Sequence, residues 1–329
     1  RLLRLSNADQ SVIVDTYHDK VRESLLRQLD PDIRAENHMR LAEVIESEAI
    51  SDEPPDLDAW ITATEKESEQ YISPVESDRV FDLGYHFDAA GCRDKALLYS
   101  LLAAEQAVRQ YSFDVASGQF AIAERNSNGK PNVEYRIAMG FGRTLLRQAE
   151  YDSAQNKYGH GFEVAETATQ RAFVRLRQGE LRFRQGKVAE TVDTIVAGLE
   201  ELGVRVPSSL GRILVGIAKR LIQVRPAPGK EKLNRGTAPE DSVLTLQLLS
   251  RLSHSLIMGD AFKMIWAHLG ALNLAYRLPV TRYSVFTFSW HACSAAMLSL
   301  HGRGRRFGSL ARELARELDD IFLQGEALL

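Results

Sequence analysis

The sequence predicts an all-α fold, an α-solenoid of antiparallel helix pairs preceded by a short N-terminal β-hairpin. Three observations lead there. From Leu57 to Leu202 the apolar residues recur only at helical spacing, and the breaks between periodic segments are short, so neighbouring helices should pack antiparallel. Small residues also recur across those breaks: Gly84 is followed twelve residues later by Ala96, and Gly142 by Ala154, each time across a turn rich in Gly, Asp or Lys.

The hairpin is expected in the first thirty residues. Leu2, Leu3 and Leu5 precede a polar turn at Asn7, Ala8, Asp9 and Gln10, and the β-branched run Val12, Ile13, Val14 follows. A helix should begin after it, with Thr16 as N-cap and Asp19 three residues on as an acidic variant of the capping box. Tyr17, Val21, Leu25 and Leu29 make its apolar stripe. Asp30 and Pro31 then supply a cap and a first-turn proline for a second helix carrying Ile33, Leu41, Val44 and Ile45. Residues 51–56, with paired prolines and acids, read as a loop.

Helices are predicted near 57–72, 76–90, 94–110, 113–126, 132–148, 151–167, 170–185 and 187–202, with breaks at Gly91, at Gly129 with Pro131, and at Gly186. Ala96 and Ala103, Ala116 and Ala123, and Ala154 and Gly161 each lie seven apart, with Tyr99, Phe120 and Tyr158 between them. Small residues let two backbones close up while the aromatic residue fills the remaining space. The spacing resembles the tetratricopeptide repeat, with an uneven period: Ala154 to Ala189 spans 35 residues, Ala116 to Ala154 spans 38 and Ala96 to Ala116 spans 20. A basic amphipathic helix is expected near 208–224, a Pro- and Lys/Arg-rich linker over 225–239, and a second helical block near 240–258, 260–277, 280–301 and 304–323 with turns at Gly259 and Gly302.

Composition narrows the function classes. With 329 residues, 44% hydrophobic and 26% charged, the chain is long enough for two structural units and ordinary for a folded protein. A formal charge of -3 gives the whole chain no electrostatic bias toward nucleic acid. Cys92 and Cys293 lie far apart without CxxC pairing, which excludes a disulfide framework and a thiolate zinc site and fits a reducing, cytoplasmic setting. The longest apolar stretches, Ile213 to Ile217 and Ala292 to Leu298, fall short of the roughly 20 residues of a membrane span. The chain opens on Arg1 without an initiator methionine and reads as a piece of a longer protein.

No catalytic constellation stands out, and neither a catalytic residue nor a metal ligand is expected. GxxxxGK[ST], HExxH and GxSxG do not occur; Gly129 with Lys130 lacks the earlier glycine and is followed by Pro131. The glycines at 302, 304 and 308 follow a helix instead of a strand and read as a flexible turn. His254, His268, His291 and His301 fall on separate helices without carboxylates at ligand spacing. Phe286, Phe288 and Trp290 read as core. Arg212, Lys219, Arg220, Arg225, Lys230, Lys232 and Arg235 form the one basic stretch, with Ile213, Leu214, Ile217 and Leu221 on the other face. Such a stretch suits an anionic membrane or nucleic acid. Glu231 interrupts it and no aromatics interleave, which favours a solvated face packing on the superhelix.

The run VDTYHDKVRESLL, the helix with His38 and Leu41-Ala42, and FDLGYHFDAAGCRDKALLYSLLAAEQA together resemble the segment after the ATPase core in STAND-type signalling ATPases. These bacterial proteins are often fused to Ser/Thr protein kinase, cyclase or histidine kinase domains. The resemblance implies that residues 1–30 end a winged-helix-like domain, 31–207 form a TPR-like superhelix, 208–239 a basic helix and linker, and 240–329 a second block. It also implies that His18 and Asp19 match the histidine-aspartate pair that reports on bound nucleotide, that His86 in GYHF matches a position of the first repeats, and that Leu202-Gly203 with Pro207 closes the superhelix. On that basis this segment carries no cofactor of its own, ATP or ADP belongs to an upstream domain, and the partner is a protein or a neighbouring domain rather than nucleic acid. Two other readings stand beside it: a self-contained helical enzyme using His86 with Asp88 or His254 with Asp260, and a solenoid regulator binding nucleic acid through 212–235.

Overall fold

The computed structural model describes residues 3–8, 11–16, 24, 28–50, 55–65, 79–127, 129–223, 236, 238–257, 259–318 and 325. Fourteen helices lie among the described residues. They are α1 (Pro31–Ala49), α2 (Leu57–Glu65), α3 (Arg79–Ala89), α4 (Arg93–Arg109), α5 (Phe113–Arg125), α6 (Pro131–Arg147) and α7 (Tyr151–Glu163). After them come α8 (Ala168–Arg184), α9 (Val188–Glu201), α10 (Leu210–Gln223), α11 (Glu240–Ser255), α12 (Ala261–Arg277), α13 (Arg282–Met297) and α14 (His301–Glu317). Near the start, Leu3–Ala8 and Ser11–Thr16 run as an antiparallel backbone pair, Leu3 opposite Thr16. The fold class rests on the helices alone.

Five of the helix connections are built to one plan. In each, the residue two before the returning helix has a positive φ: Gly91 at 74°, Tyr111 at 58°, Ala149 at 63°, Gly186 at 75° and Ser299 at 61°. The next residue's N–H donates back to the carbonyl five positions earlier, as in Cys92 to Phe87 (2.9 Å), Ser112 to Ala107 (2.8 Å), Glu150 to Leu145 (2.9 Å), Lys187 to Arg182 (3.0 Å) and Leu300 to Ala295 (2.8 Å). These are Schellman ends, which satisfy the last carbonyls of one helix while turning the chain back.

A small residue sits seven positions before each of these turn residues, and a second small or compact one five positions after it. The pairs are Gly84 with Ala96, Ala104 with Ala116, Gly142 with Ala154, Gly179 with Thr191, and Ala292 with Gly304. Each pair is therefore twelve residues apart, so the spacing visible at two places in the sequence holds at five. The period stays uneven, with the 20-residue step from Ala96 to Ala116 unchanged, but one of its members is replaced. Ala189 is exposed, and Thr191, fully buried, takes the expected place, 37 residues after Ala154.

The packing shows why small residues are needed. A Cβ on Gly84 would lie 3.2 Å from the Ser100 hydroxyl, and one on Gly179 would lie 2.5 Å from Ile195 Cδ1. Ser100 and Ile195 both sit sixteen residues beyond the glycine they face, and a Cβ on Gly308, sixteen beyond Ala292, would lie at ordinary contact distance from the Ala292 Cβ (3.7 Å). The glycines at 302, 304 and 308, expected in a turn, belong to α14 instead. A Cβ on Gly304 would meet the Ala292 carbonyl oxygen at 3.0 Å. Glycine here is a packing residue rather than a helix breaker.

The chain divides into two compact units, Arg1–Thr144 and Leu145–Leu329. In the first, α3 packs on α4 and α4 on α5, with α1 laid against α3. Phe87 stacks on Tyr99 at 5.5 Å, both buried, and burial of each such ring contributes about 2–3 kcal/mol. Asp30 caps α1 by accepting from Asp32 N–H (2.9 Å), as its sequence foretells. Of the apolar residues expected on that helix, Ile45 is half-buried and the others face outward. Ile33, Leu41 and Val44 are exposed, and the helix is seated instead by Ala42, Ala49, His38 and Glu46, the last accepting from Lys95 (2.5 Å) and Tyr99 (2.6 Å). Small Ala42, fully buried, lets the helix approach closely enough for these bonds.

In the second unit, Ala172, Leu176, Ile195 and Leu199 share one core cluster with Leu248, Trp266, Leu272, Phe288 and Phe307. Residues on both sides of the expected 225–239 linker thus form a single core. Of the aromatic run, Phe288 is fully buried, whereas Phe286 and Trp290 are only half-buried.

Two outcomes check the turn-and-packing scheme. Tyr111→Gly should stabilise the chain by about 1 kcal/mol in urea unfolding, because glycine carries no left-handed penalty there. Gly304→Val should destabilise it by roughly 1–3 kcal/mol, because the added methyls press on backbone rather than on a movable side chain.

Candidate functional site

The nucleotide-sensing pair, His18 and Asp19, lies outside the described residues. The remaining sequence candidates are placed, and the structure separates the pairs that sequence proximity suggested. His86, on α3, turns to α1, where its Nδ1 lies 2.7 Å from His38 Nδ1, with the Tyr85 ring edge-on to both imidazoles. Asp88, two residues on, faces α5, accepting from Arg125 Nε (2.9 Å) and Asn126 Nδ2 (2.7 Å). Burial pushes the Asp88 carboxyl up, but the hydrogen bonds from Arg125 and Asn126 and the arginine charge bring it below the usual range. His86 and Asp88 therefore serve two different helix contacts.

His254 and Asp260 are split in the same way. The His254 ring lies between Phe183 (5.8 Å) and Trp290 (5.3 Å), while Asp260 caps α12 by accepting from Lys263 N–H (2.9 Å). Among the described residues no group of three or more His, Cys, Asp or Glu side chains is placed to hold a metal ion.

Two histidines that the sequence put on separate helices do meet. His268 of α12 and His291 of α13 stack at 5.2 Å between centroids, with His268 Nε2 2.9 Å from His291 Nδ1. Arg303 of α14 donates from Nε to His291 Nε2 at 2.9 Å, and Phe307 packs edge-on against that ring at 4.6 Å. The arginine sets the tautomers: His291 accepts at Nε2 and donates from Nδ1, so His268 accepts at Nε2. Burial pushes His268 down to about 4, and burial with the neighbouring His268 and Arg303 pushes His291 down to about 3, so both are neutral near pH 7. No motif could have found this pair, because 23 residues and a turn separate its members.

The charged residues of α8 are mostly absorbed by neighbours. Arg171 pairs with Glu201 (2.9 Å), and Glu180 accepts from Arg177 and from Arg251 of α11, each at 3.0 Å. Burial would raise Glu180, but those two arginines carry it below its ordinary value. In the first unit Glu105 of α4 is raised by burial, against the opposing pull of Trp60, Arg109, Arg143 and Arg136.

The basic stretch does not act as one surface. Arg220 turns inward over the Trp266 ring, 3.7 Å from its centroid, and donates to the Trp266 carbonyl. Burial lowers it to about 10. Gly216 of α10 and Gly270 of α12 leave room for the indole and the guanidinium. Arg212 and Lys219 remain exposed, while Arg225, Lys230, Lys232 and Arg235 lie outside the described residues.

Compared with known proteins, the sequence matches no family model, and no curated protein matches it. No described helix is long and apolar enough to cross a membrane.

The histidine pair has a measurable consequence. Its folded pKa values lie below the unfolded value near 6.5, so the stability it permits is full above pH 6.5 and is lost as pH falls toward 4. Lowering the pH from 7 to 4.5 should cost roughly 2 kcal/mol per histidine in urea unfolding. In His291→Gln, which stays neutral throughout, the drop should shrink by about that amount.

Proposed function

We propose that this chain is a regulatory and protein-interaction module of a multidomain signalling ATPase or Ser/Thr protein kinase. Its TPR-like helical pairs bind a protein partner or neighbouring domain, and that contact biases the nucleotide state of an upstream ATPase core. The observation that carries the reading is the recurring helix pair, closed by small residues twelve apart around a Schellman turn. Stacked pairs of this kind present long surfaces for recognition and mostly bind rather than catalyse.

The local chemistry supports the same reading. His86, Asp88, His254 and Asp260, the side chains an enzyme reading would use, are committed to helix contacts or caps. The link to a signalling ATPase rests on the sequence resemblance, in which His18 and Asp19 face bound nucleotide across a winged-helix-like domain. Coupling then requires that a partner bind one nucleotide state better than the other, by an amount equal to the shift it produces.

Two measurements test the proposal. Titrated with ATP in a calorimeter, the 329-residue chain should give no binding heat and no hydrolysis; tight binding would return the function to this segment. In the complete protein, His18→Ala should change the nucleotide exchange rate or basal ATPase activity, and unchanged rates would remove the sensing role.

A further inference from the structure

Helix α10 is held along one narrow edge. Ile213 is buried, Ile217 packs against the core, Gly216 sits on the Trp266 indole, and Arg220 stacks over the same ring. Asn273 of α12 fastens the helix end by donating to the Arg220 carbonyl at 3.1 Å. Much of the remaining circumference faces outward, and it is aliphatic. Leu210, Leu214 and Leu221, spaced by four and seven, are 55%, 45% and 54% exposed. Val215 and Ile222, seven apart in the adjoining row, are 56% and 86% exposed, and Ala218 lies exposed between the two rows.

The border of this face is cationic. Arg212 and Lys219, seven residues apart and both exposed, run between the outward rows and the docked edge. No acid occurs on α10, and Arg277 of α12 reaches its last residue, donating to Gln223 Oε1 at 3.3 Å. The sequence from 205 to 235 carries eight lysines and arginines against the single acid Glu231, in a chain whose formal charge is -3. Along the sequence, positive charge is thus concentrated in and around α10.

Single exposed aliphatic residues are common and call for no explanation, but five in adjoining rows on one helix form a patch. The chemistry of this patch selects its occupant. Nucleic acid would satisfy Arg212 and Lys219 and leave the leucines in water. A protein interface draws most of its energy from Trp, Tyr and Arg anchors, and the outward rows hold only Leu, Val, Ile and Ala. An anionic bilayer satisfies both features: aliphatic side chains enter the boundary between headgroups and acyl chains, while lysine and arginine reach up to the phosphates.

We propose that the outward face of α10 is a peripheral docking surface for an anionic lipid bilayer. The helix lies flat on the membrane, presenting Leu210, Leu214, Leu221, Val215 and Ile222, with Arg212 and Lys219 at the headgroup level. This proposal does not depend on the ATPase reading.

The test is co-sedimentation of the 329-residue chain with phosphatidylcholine vesicles, with and without phosphatidylglycerol. Binding should require phosphatidylglycerol. It should weaken about tenfold or more both in Leu214→Glu/Ile222→Glu and in Arg212→Glu/Lys219→Glu. Both variants alter exposed positions and should keep the parent Tm, which separates lost docking from lost folding. The proposal is overturned if phosphatidylglycerol brings no binding, or if binding survives Leu214→Glu/Ile222→Glu and is therefore charge adsorption alone. Self-association that this variant abolishes, without vesicle binding, would assign the face to a second copy of the chain and likewise overturn it.

Discussion

Close approach between consecutive helices is the constraint on which this chain depends. Two helices joined by a three-residue turn diverge unless something small lies near the hinge on both sides, and within the two units that requirement is met the same way four times, with the same spacing recurring in sequence at Gly142 and Ala154. The first helix carries Gly or Ala seven residues before the left-handed turn residue, and the second carries Ala, Thr or Gly five residues after it. The Schellman hydrogen bonds set the angle of return, and the small residues allow the contact. Larger side chains then fill the space one or two turns away, as Phe87 and Tyr99 do between α3 and α4.

Much of this was legible in the sequence, and the exceptions share a cause. Gly84 with Ala96 announced the spacing because glycine and alanine are conspicuous there. Ala104 with Ala116 is hidden in an alanine-rich run, and Thr191 is hidden because threonine is not usually counted as small; its hydroxyl is satisfied internally by the Lys187 carbonyl at 2.9 Å. Gly302, Gly304 and Gly308 pointed to a turn, since glycine is costly in a helix, yet all three lie in α14, and at Gly304 the reason is packing, because the Ala292 carbonyl lies where a Cβ would press. The way α1 is seated was hidden for a different reason. Periodicity marks an apolar face but does not say whether a polar anchor such as Glu46 with Lys95 and Tyr99 seats the helix by another face.

The side-chain chemistry was less legible than the fold. Neighbours in sequence, His86 with Asp88 and His254 with Asp260, drew attention because a nearby acid can orient an imidazole, but helix geometry sends each member to a separate task. The meeting of His268 with His291 depends on the packing of α12 against α13, which no local pattern encodes. Arg220 likewise looked like part of a basic surface until Gly216 and Gly270 are seen to open a place for its stack on Trp266. What remains outside is telling: an aliphatic face on α10 bordered by Arg212 and Lys219, with its inward cation already spent on the core.

Amide hydrogen exchange tests the central claim most directly. If the recurring turn closes each pair, the N–H groups of Cys92, Ser112, Glu150, Lys187 and Leu300, which lie outside regular helix yet donate to carbonyls five residues back, should exchange as slowly as amides in the flanking helices. Exchange of these five amides at the rate of an unstructured chain, beside protected helices, would contradict the account, because the helices would then be joined by open loops and the spacing of small residues would lose its meaning.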